Sequence, residues 1–250
     1  MSQDATQQLL GLADKRVLIT GAAGAIGQVL CARFTQLGSQ VVGVDRNQEP
    51  LEQMQHHGVL DSFVVVDLGA AGAGQQCLEA TGPVQVLINN AGTGREGHLR
   101  TTTEKMVEVT LEANYKTAYR MCRAYLPSMR QQGGGKIVNV SSVLGPHPVP
   151  AVSAYAASKA AVIAFTRSIA LEVATEGIQC NVLAPGYLQG PKNEDYFASK
   201  VGHAFIRRFM PGGAPGTAED LVGPAVFLAS AMSGHVTGQV LVVDGGYSIW

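Results

Sequence analysis

The feature of this sequence that most constrains its fold is a regular alternation of short aliphatic runs with longer stretches of helical periodicity. Strands that alternate with helices in this way form a parallel sheet covered on both faces. The first aliphatic run spans residues 17–20, and Gly38 ends the helical stretch after it. Further strands are predicted at 41–44, 63–66, 84–88, 136–140, 178–184 and 239–243, with helices at about 104–131, 153–174 and 194–209. We therefore predict an α/β domain with a doubly wound, mostly parallel seven-stranded sheet and helices on both faces.

The composition agrees with a single domain over residues 1–250. Hydrophobic residues make up 46% of the chain and charged residues 15%, which supplies enough apolar side chains for a buried core. The formal net charge is −1 and no basic block occurs, so charge gives nucleic acid no particular attraction. No apolar run reaches the roughly 18 residues of a membrane span, and no secretory signal pattern is found. We expect neither a nucleic-acid nor a membrane partner.

The cysteines bear on the compartment and on metal binding. Cys31, Cys77, Cys122 and Cys180 lie far apart, with neither the spacing of a metal site nor that of a disulfide framework. We interpret them as reduced, mostly buried thiols of a cytoplasmic protein, and we expect no metal site.

A glycine-rich turn over residues 20–27 joins the first predicted strand to the first helix. Gly21, Gly24 and Gly27 have the spacing G-x-x-G-x-x-G, and Ala25 and Ile26 complete the turn. Glycines allow a sharp backbone turn and let a pyrophosphate approach the free N–H groups of the helix. Such a turn can also serve architecture alone, and its spacing differs from the general G-x-G-x-x-G pattern. The strand before it and the amphipathic helix after it favour a Rossmann-like dinucleotide site.

Further candidate cofactor residues follow the next strands at their carboxyl ends, where parallel sheets bind ligands. Asp45 ends the second strand, at the usual distance for a carboxylate that holds the adenosine ribose hydroxyls, and Arg46 lies beside it. Asp67 and Leu68 follow the third strand, and both aspartates can equally be ordinary acidic turn residues. After the fourth strand, where small residues would let a cofactor lie against the backbone, come Asn90, Ala91 and Gly92.

Ser142, Tyr155 and Lys159 form the candidate catalytic set. Tyr155 and Lys159 are four residues apart on a predicted helix and therefore share one face. A phenol has a pKa of about 10. A neighbouring ammonium, helped by the positive charge of an oxidised nicotinamide, would lower that pKa and let Tyr155 act as a base. Ser142 follows the fifth strand, where its hydroxyl can bond a substrate oxygen.

The same Tyr-x-x-x-Lys pattern recurs at Tyr196 and Lys200, so the pattern alone identifies neither pair. Thirteen residues before Tyr155 stands Ser142, whereas Leu183 stands thirteen residues before Tyr196. The second pair also lies in an irregular region outside the alternating strands and helices. We therefore predict that Tyr196 is not the acid/base, although contact with substrate stays open.

Taken together, these residues resemble the short-chain dehydrogenase/reductase family over nearly the whole chain. The matching positions, in family order, are 20–27, Asp67, 89–92, Asn114, Ser142, Tyr155 with Lys159, Pro185 with Gly186, and 244–246. The resemblance implies that Tyr155 is the general acid/base, that Lys159 lowers its pKa and binds the nicotinamide ribose, and that Ser142 anchors the substrate oxygen. It further implies a supporting role for Asn90 beneath the cofactor and cofactor contacts at Pro185, Gly186 and Leu188.

Asn114 and two departures from the family pattern qualify this resemblance. Asn114, in the long helix before the fifth strand, matches the family residue that holds a water in a proton relay. The alternative is a polar residue that kinks or caps that helix. Ala25 stands where the family usually has Gly, a small change. Gly190 stands where a Thr usually bonds the nicotinamide carboxamide, so backbone near Leu188 or the side chain of Asn193 would have to replace that bond.

Residues 187–215 are predicted to form a lid over the substrate. Its apolar side chains either line a pocket or pack the lid onto the core, and they are Phe197, Phe205, Phe209 and Met210. The candidate substrate contacts are Ser142, Leu144, His147, Tyr155 and Tyr187. His147 lies among prolines and is expected to shape the site rather than to act in catalysis.

The resemblance implies an NAD(H)-dependent oxidoreductase that interconverts a small-molecule secondary alcohol and a ketone. NAD(H) is favoured because Asp45 would repel a 2′-phosphate and because Ala22 and Ala23 offer that phosphate no basic side chain. Arg46 keeps an NADP(H)-dependent ketoreductase open. A nucleotide-sensing binding protein without turnover is the alternative from another class. Family members are often tetramers, and the alanine-rich stretch at 153–174 permits the close helix packing of a homo-oligomer. Burial of this helix within one subunit is the alternative.

Overall fold

The fold is taken from a computed structural model that describes residues 3–94, 97–191 and 193–250. These residues form one seven-stranded sheet from β1 Arg16–Thr20, β2 Gln40–Asp45, β3 Ser62–Val65, β4 Val86–Asn89, β5 Gly135–Val140, β6 Ile178–Pro185 and β7 Val240–Val243. The strand order is β3-β2-β1-β4-β5-β6-β7, and every pairing of neighbours is parallel. The predicted doubly wound α/β fold is confirmed, and the sheet is parallel throughout.

Helices connect the strands and cover both faces of the sheet. They are α1 Gln3–Leu10, α2 Ala25–Gln36, α3 Gln48–His56, α4 Ala73–Thr81, α5 Glu104–Leu111, α6 Thr117–Gln131, α7 Ser153–Glu172, α8 Glu194–Ala198, α9 Lys200–Phe209 and α10 Val222–Ala229. Within the described part of the chain, none of these helices combines the length and apolar character that crossing a membrane requires.

Two apolar layers flank the sheet because successive strand residues point to opposite faces. Val17 and Ile19 of β1 pack on one face with α2 and α10. Leu18, between them, packs on the other face with residues of α4, α6 and α7. Burial of both faces explains why the strands are continuous aliphatic runs rather than alternating ones.

Two helical stretches that the periodicity predicts as continuous are interrupted. A π-helical turn, Glu112–Lys116, separates α5 from α6. Ser199 separates α8 from α9: its hydroxyl donates to Tyr196 O at 2.7 Å and accepts from the N–H of Gly202 at 3.0 Å. This hydroxyl satisfies backbone groups at the end of one helix and at the start of the next, so the chain turns there.

All four cysteines are buried free thiols, as the sequence predicts. Burial raises the pKa of Cys31 and Cys122 to about 12. Both therefore remain protonated and unreactive at neutral pH.

The winding of the sheet reverses between β1 and β4, and open α/β sheets bind ligands at such a reversal. The strands that end with Thr20, Asp45, Asn89, Val140 and Pro185 all reach this edge of the sheet at their carboxyl ends. The fold therefore brings residues that are far apart in sequence to one crevice.

Candidate active site

The glycine-rich turn is built so tightly that side chains are excluded from it. Gly21 has a φ of +65°, and a Cβ there would lie 2.9 Å from Ala91 Cα. A Cβ on Gly27 would overlap the carbonyl oxygen of Gly21. Gly24 precedes α2 without a side-chain cap, so the first N–H groups of that helix are free to bind an anion. The turn therefore fits a pyrophosphate group.

Asp45 is held against this turn. Its Oδ2 accepts the N–H of Ala23 at 3.2 Å, and its Oδ1 accepts the N–H of Asn47 at 3.0 Å. Arg46, next to it, is exposed. The carboxylate thus lies between the end of β2 and the glycine-rich turn, where sequence reasoning predicts the adenosine ribose.

Asn90 ties the loop after β4 to the end of β1. Its Nδ2 donates to Thr20 O at 3.1 Å and to Gly21 O at 3.2 Å, and its N–H donates to Thr20 Oγ1 at 3.1 Å. Ala91 donates its own N–H to the same hydroxyl at 3.0 Å. These bonds hold the floor of the crevice in place, which agrees with the supporting role that the resemblance implies.

The two residues predicted after the third strand have different surroundings. Asp67 is exposed, and its Oδ1 accepts the N–H of Gly69 at 2.9 Å. Leu68 is buried in the apolar layer beside α4. Asp67 therefore has the geometry of an acidic turn residue and keeps one carboxylate oxygen available.

A cleft of about 240 Å³ opens at the reversal of the sheet. It brings together residues from five segments of the chain: Ile26, Asn90, Gly92, Thr93, Gly94, Val140, Ser141, Ser142, Tyr155, Lys159, Pro185, Gly186 and Leu188. The predicted catalytic set therefore meets in one place, together with predicted cofactor residues.

Tyr155 and Lys159 share one face of α7 and point into this cleft. Lys159 Nζ lies 5.8 Å from the centroid of the Tyr155 ring and donates to Val140 O at 3.0 Å. Lys159 is only 5% exposed, and no ion pair to it occurs among the described residues. Ser142 bonds the Tyr155 hydroxyl, and its Oγ also accepts the N–H of Leu144 at 3.1 Å.

Burial dominates the electrostatics of Tyr155 and Lys159. Burial raises the pKa of Tyr155, and the hydrogen bond to Ser142 offsets only part of that effect. Burial also lowers the pKa of Lys159 to about 8. Desolvation disfavours the charged form of both groups, and the ammonium donates to Val140 O.

Asn114 lies in the π-helical turn and is 2% exposed. Its Oδ1 accepts the N–H of Thr93 at 2.7 Å, and its Nδ2 donates to Thr93 O at 3.0 Å and to Ser158 Oγ at 2.8 Å. Asn114 and Lys159 both lie close to Gly92. A Cβ added to Gly92 would be 2.8 Å from Asn114 Oδ1 and 3.3 Å from Lys159 Nζ. The Asn114 side chain therefore joins the loop after β4 to α7.

Asn193 takes part in the loop where Gly190 replaces the family threonine. Its Nδ2 donates to Leu188 O at 2.8 Å, and its Oδ1 accepts the N–H of Gly190 at 2.8 Å. Leu188 forms a parallel bridge with Gly216. Both polar atoms of Asn193 are thus engaged in holding the backbone near Leu188, which lines the cleft.

On the substrate side, the structure describes Leu144, Tyr187 and His147 in different surroundings. Leu144 and Tyr187 belong to the same apolar cluster as the Tyr155 ring. His147 is exposed, and its charge interaction is with Asp244.

The predicted lid contains α8 and α9, whose aromatic rings contact one another and the core. Tyr187 lies 5.2 Å from Phe205 and 5.2 Å from Tyr247, measured between ring centroids. Phe205 lies 5.1 Å from Phe209 by the same measure. Phe197 and Met210 are buried. Of the two alternatives for these side chains, packing of the helices is the one seen, with Tyr187 reaching both the helices and the cluster at Tyr155.

The second Tyr-x-x-x-Lys pair lies away from the cleft. Tyr196 is 45% exposed in α8, and Lys200 begins α9. Neither lines the cleft that contains Tyr155.

Sequence reasoning missed several residues of the cleft and its support. Thr93, Gly94 and Ser141 line the cleft, and each lies within two positions of a residue that the motifs identify. Ser158, which bonds Asn114, follows the tyrosine by three residues. A serine at such a helical position commonly bonds a carbonyl three or four residues earlier, so the pattern contained a signal for it.

The fold and the site together define a class of protein. A parallel sheet with a glycine-rich turn at its reversal binds dinucleotides, and the buried Ser, Tyr and Lys groups beside that turn can move a proton. These features describe a dinucleotide-dependent oxidoreductase.

Comparison with known proteins gives the family. The model of the short chain dehydrogenase family matches residues 15–201. Gluconate 5-dehydrogenase of Gluconobacter oxydans is 35% identical over 249 residues, which cover 96% of this chain and 97% of that protein. The 3-oxoacyl-(acyl-carrier-protein) reductase of Thermotoga maritima is also 35% identical, and the match covers 95% of this chain and 99% of that protein. The chain therefore belongs to the short-chain dehydrogenase/reductase family, as the motifs predict.

Solved structures of similar proteins support the same family assignment. A gluconate 5-dehydrogenase from Burkholderia cenocepacia, in complex with NADP and tartrate, has a TM-score of 0.88 at 30% identity, with 95% of this chain and 96% of that chain covered. A 3-oxoacyl-(acyl-carrier-protein) reductase from Agrobacterium tumefaciens with NADP bound has a TM-score of 0.89 at 28% identity, with 96% and 97% covered. This chain is accordingly an oxidoreductase that uses a nicotinamide dinucleotide.

Proposed function

We propose that the protein is an NAD(H)-dependent oxidoreductase that interconverts a secondary alcohol and a ketone, with Tyr155 as its general acid/base. The observation that carries this proposal is the meeting of Ser142, Tyr155 and Lys159 in one cleft at the reversal of the sheet. A protein that only sensed a nucleotide would need the glycine-rich turn but not these three side chains.

In the direction of oxidation, Tyr155 takes the proton of the substrate hydroxyl while Ser142 holds the substrate oxygen. A bound nicotinamide supplies the acceptor for the hydride that leaves the carbinol carbon. The alcohol loses one proton and one hydride and becomes a ketone, and reduction follows the reverse course. Burial opposes ionisation of Tyr155, so the charge of Lys159 and that of an oxidised nicotinamide together have to favour the phenolate.

We propose that the region of Asn114 holds the water of the proton relay through backbone carbonyl groups and not through the Asn114 side chain. Both amide hydrogens of that side chain bond Thr93 and Ser158, and its amide oxygen accepts the N–H of Thr93. The carbonyl groups of the π-helical turn Glu112–Lys116 are the groups that would hold a relay water, since such turns disturb the regular helical bonding.

The preference for NAD(H) rests on Asp45. Its carboxylate lies against the glycine-rich turn through the N–H of Ala23, and a 2′-phosphate beside it would meet a like charge. Two related structures hold NADP, so NADP(H) stays the alternative, and Arg46 is the residue of this chain that would favour it.

Turnover is the test of the proposed activity. The protein is mixed with NAD and secondary alcohols, or with NADH and ketones, and the nicotinamide absorbance is followed. We expect turnover with members of a panel of cyclic, steroid, acyl and polyol alcohols. Cofactor binding by calorimetry without turnover of any member would instead favour the nucleotide-sensing alternative.

Within that panel, we expect cyclic and other apolar alcohols to exceed gluconate in kcat/KM by at least ~10-fold. The reason is that the Tyr155 ring lies in one apolar cluster with Leu144 and, from the predicted lid at 187–215, with Tyr187. Replacing Tyr187 by Ser should reduce this ratio, whereas Tyr196→Ser, on the exposed part of the lid, should leave it unchanged. A higher kcat/KM for gluconate would contradict the expectation.

A homo-oligomer, and a tetramer as is common in the family, is proposed from α7. Ala157 and Ala164 are exposed on this helix, and Ala160 and Ala161 are half-buried, so a second helix can approach closely. Light scattering should give a multiple of the 26.2 kDa chain mass at micromolar concentration. Ala164→Arg should reduce that mass, while Arg167→Ala on the same helix serves as the control. A monomer mass for the wild type would refute the oligomer.

A further inference from the structure

We propose that Ser158 is a positioning residue that couples the cofactor-side loop to Tyr155, an inference that rests on the proposed function. Ser158 lies in α7 between Tyr155 and Lys159 and is fully buried. Its hydroxyl donates to Tyr155 O at 2.7 Å and accepts from Asn114 Nδ2 at 2.8 Å. One hydroxyl therefore contacts the backbone of the proposed acid/base and the side chain of the proposed relay residue.

At its far end, this connection reaches the loop that lines the cleft. Asn114 is bonded to both the N–H and the carbonyl oxygen of Thr93, a residue of the cleft wall. The bonds form a continuous path from Thr93 through Asn114 and Ser158 to the Tyr155 backbone. Its interior members are at most 2% exposed, so solvent does not compete for these bonds.

The Ser158 hydroxyl is hard to replace because it accepts one of the two amide hydrogens of Asn114. An amide nitrogen carries two hydrogens, and those of Asn114 go to Thr93 O and to Ser158 Oγ. Without the Ser158 hydroxyl, one hydrogen of a buried amide has no acceptor in this arrangement, and the side chain has reason to reorient. Because Asn114 also holds Thr93, its movement would shift the loop against the helix that carries Tyr155 and Lys159.

The expected consequence is a loss of catalytic alignment rather than of substrate binding. Small displacements of reacting groups reduce the rate steeply, so Ser158→Ala should lower kcat by about 10-fold or more while KM changes little. The pH at which kcat for alcohol oxidation reaches half of its plateau should also move upward, since the phenol is less well placed against Lys159.

Thr166 offers a matched control on the same helix. It is also fully buried, and its hydroxyl donates to Val162 O at 2.7 Å and accepts from Asn139 Nδ2 at 2.8 Å. Thr166→Val therefore removes a hydroxyl with the same kind of bonding, two helical turns away from Ser158 and outside the cleft. Both variants should lower Tm by similar amounts.

The experiment measures kcat, KM, Tm and the pH profile of kcat for the wild type, Ser158→Ala and Thr166→Val. The proposal expects the loss of kcat and the altered pH profile in Ser158→Ala alone. Equal losses of kcat in the two variants, or wild-type kcat and pH profile in Ser158→Ala, would overturn it, because the hydroxyl would then be only structural.

Two further variants keep the result decisive. If Ser158→Ala does not fold, Ser158→Cys provides a weaker hydrogen-bonding group in its place: reduced kcat at constant KM supports the proposal and unchanged kcat overturns it. Tyr155→Phe separates this inference from the proposed function. An active Tyr155→Phe refutes the proposed function itself, whereas an inactive Tyr155→Phe beside a fully active Ser158→Ala refutes only the role of Ser158.

Discussion

Replacing Tyr155 by Phe is expected to lower kcat by at least ~10²-fold, the contribution typical of a general acid/base. The substitution removes a hydroxyl that bonds Ser142 and leaves the ring in its apolar cluster, so folding and cofactor binding should persist. The measurement is kcat with the best substrate of the panel, together with the Kd for the cofactor by calorimetry.

Tyr196→Phe is the matched control for this prediction. Tyr196 belongs to the second Tyr-x-x-x-Lys pair, but it is 45% exposed and lies outside the cleft. Its variant should retain wild-type kcat. If Tyr155→Phe were active and Tyr196→Phe inactive, the assignment of the acid/base would be wrong.

Asp45→Ser is expected to bring the kcat/KM values for NAD and NADP close together. We expect the wild type to favour NAD by roughly 5- to 150-fold, which corresponds to the ~1–3 kcal/mol of a lost hydrogen bond or an unpaired charge. The substitution removes the carboxylate that would repel a 2′-phosphate and leaves Arg46 in place. The measurement is kcat/KM for each cofactor at a fixed substrate concentration.

Asp67→Ser provides the control, because Asp67 is also an aspartate after a strand of the same sheet edge and bonds one backbone N–H. Its variant should keep the wild-type ratio of the two cofactors. A wild type with equal values, or with an advantage for NADP, would mean that Asp45 does not face the ribose.

Sequence reasoning could place the strands and helices but not the points at which two of the helical stretches are interrupted. The alternation of aliphatic runs and helical stretches predicts the strands to within two residues or so, because burial on both faces leaves a strong periodic signal. The π-helical turn at Asn114 and the break at Ser199 are invisible to that signal. Both depend on where a few polar side chains find hydrogen-bond partners, and apolar periodicity does not report this.

The motifs located the candidate site but not its electrostatics. The spacing of Tyr155 and Lys159 on one helical face follows from helix geometry alone. The direction of the Tyr155 pKa shift does not, because it depends on how much of the surrounding cleft excludes water. Position in the chain also did not indicate the charge interaction between His147 and Asp244.

The sequence by itself therefore determined the parallel α/β fold and the glycine-rich turn, and it located the candidate catalytic set, since each depends on residue types at local spacings. Only the tertiary structure decided the partners across elements: Asp45 with Ala23, and Asn114 with Ser158. These partners are 22 and 44 residues apart in the chain. Hydrogen bonds and desolvation depend on which distant segments come into contact in the folded core. A local sequence pattern does not contain this information.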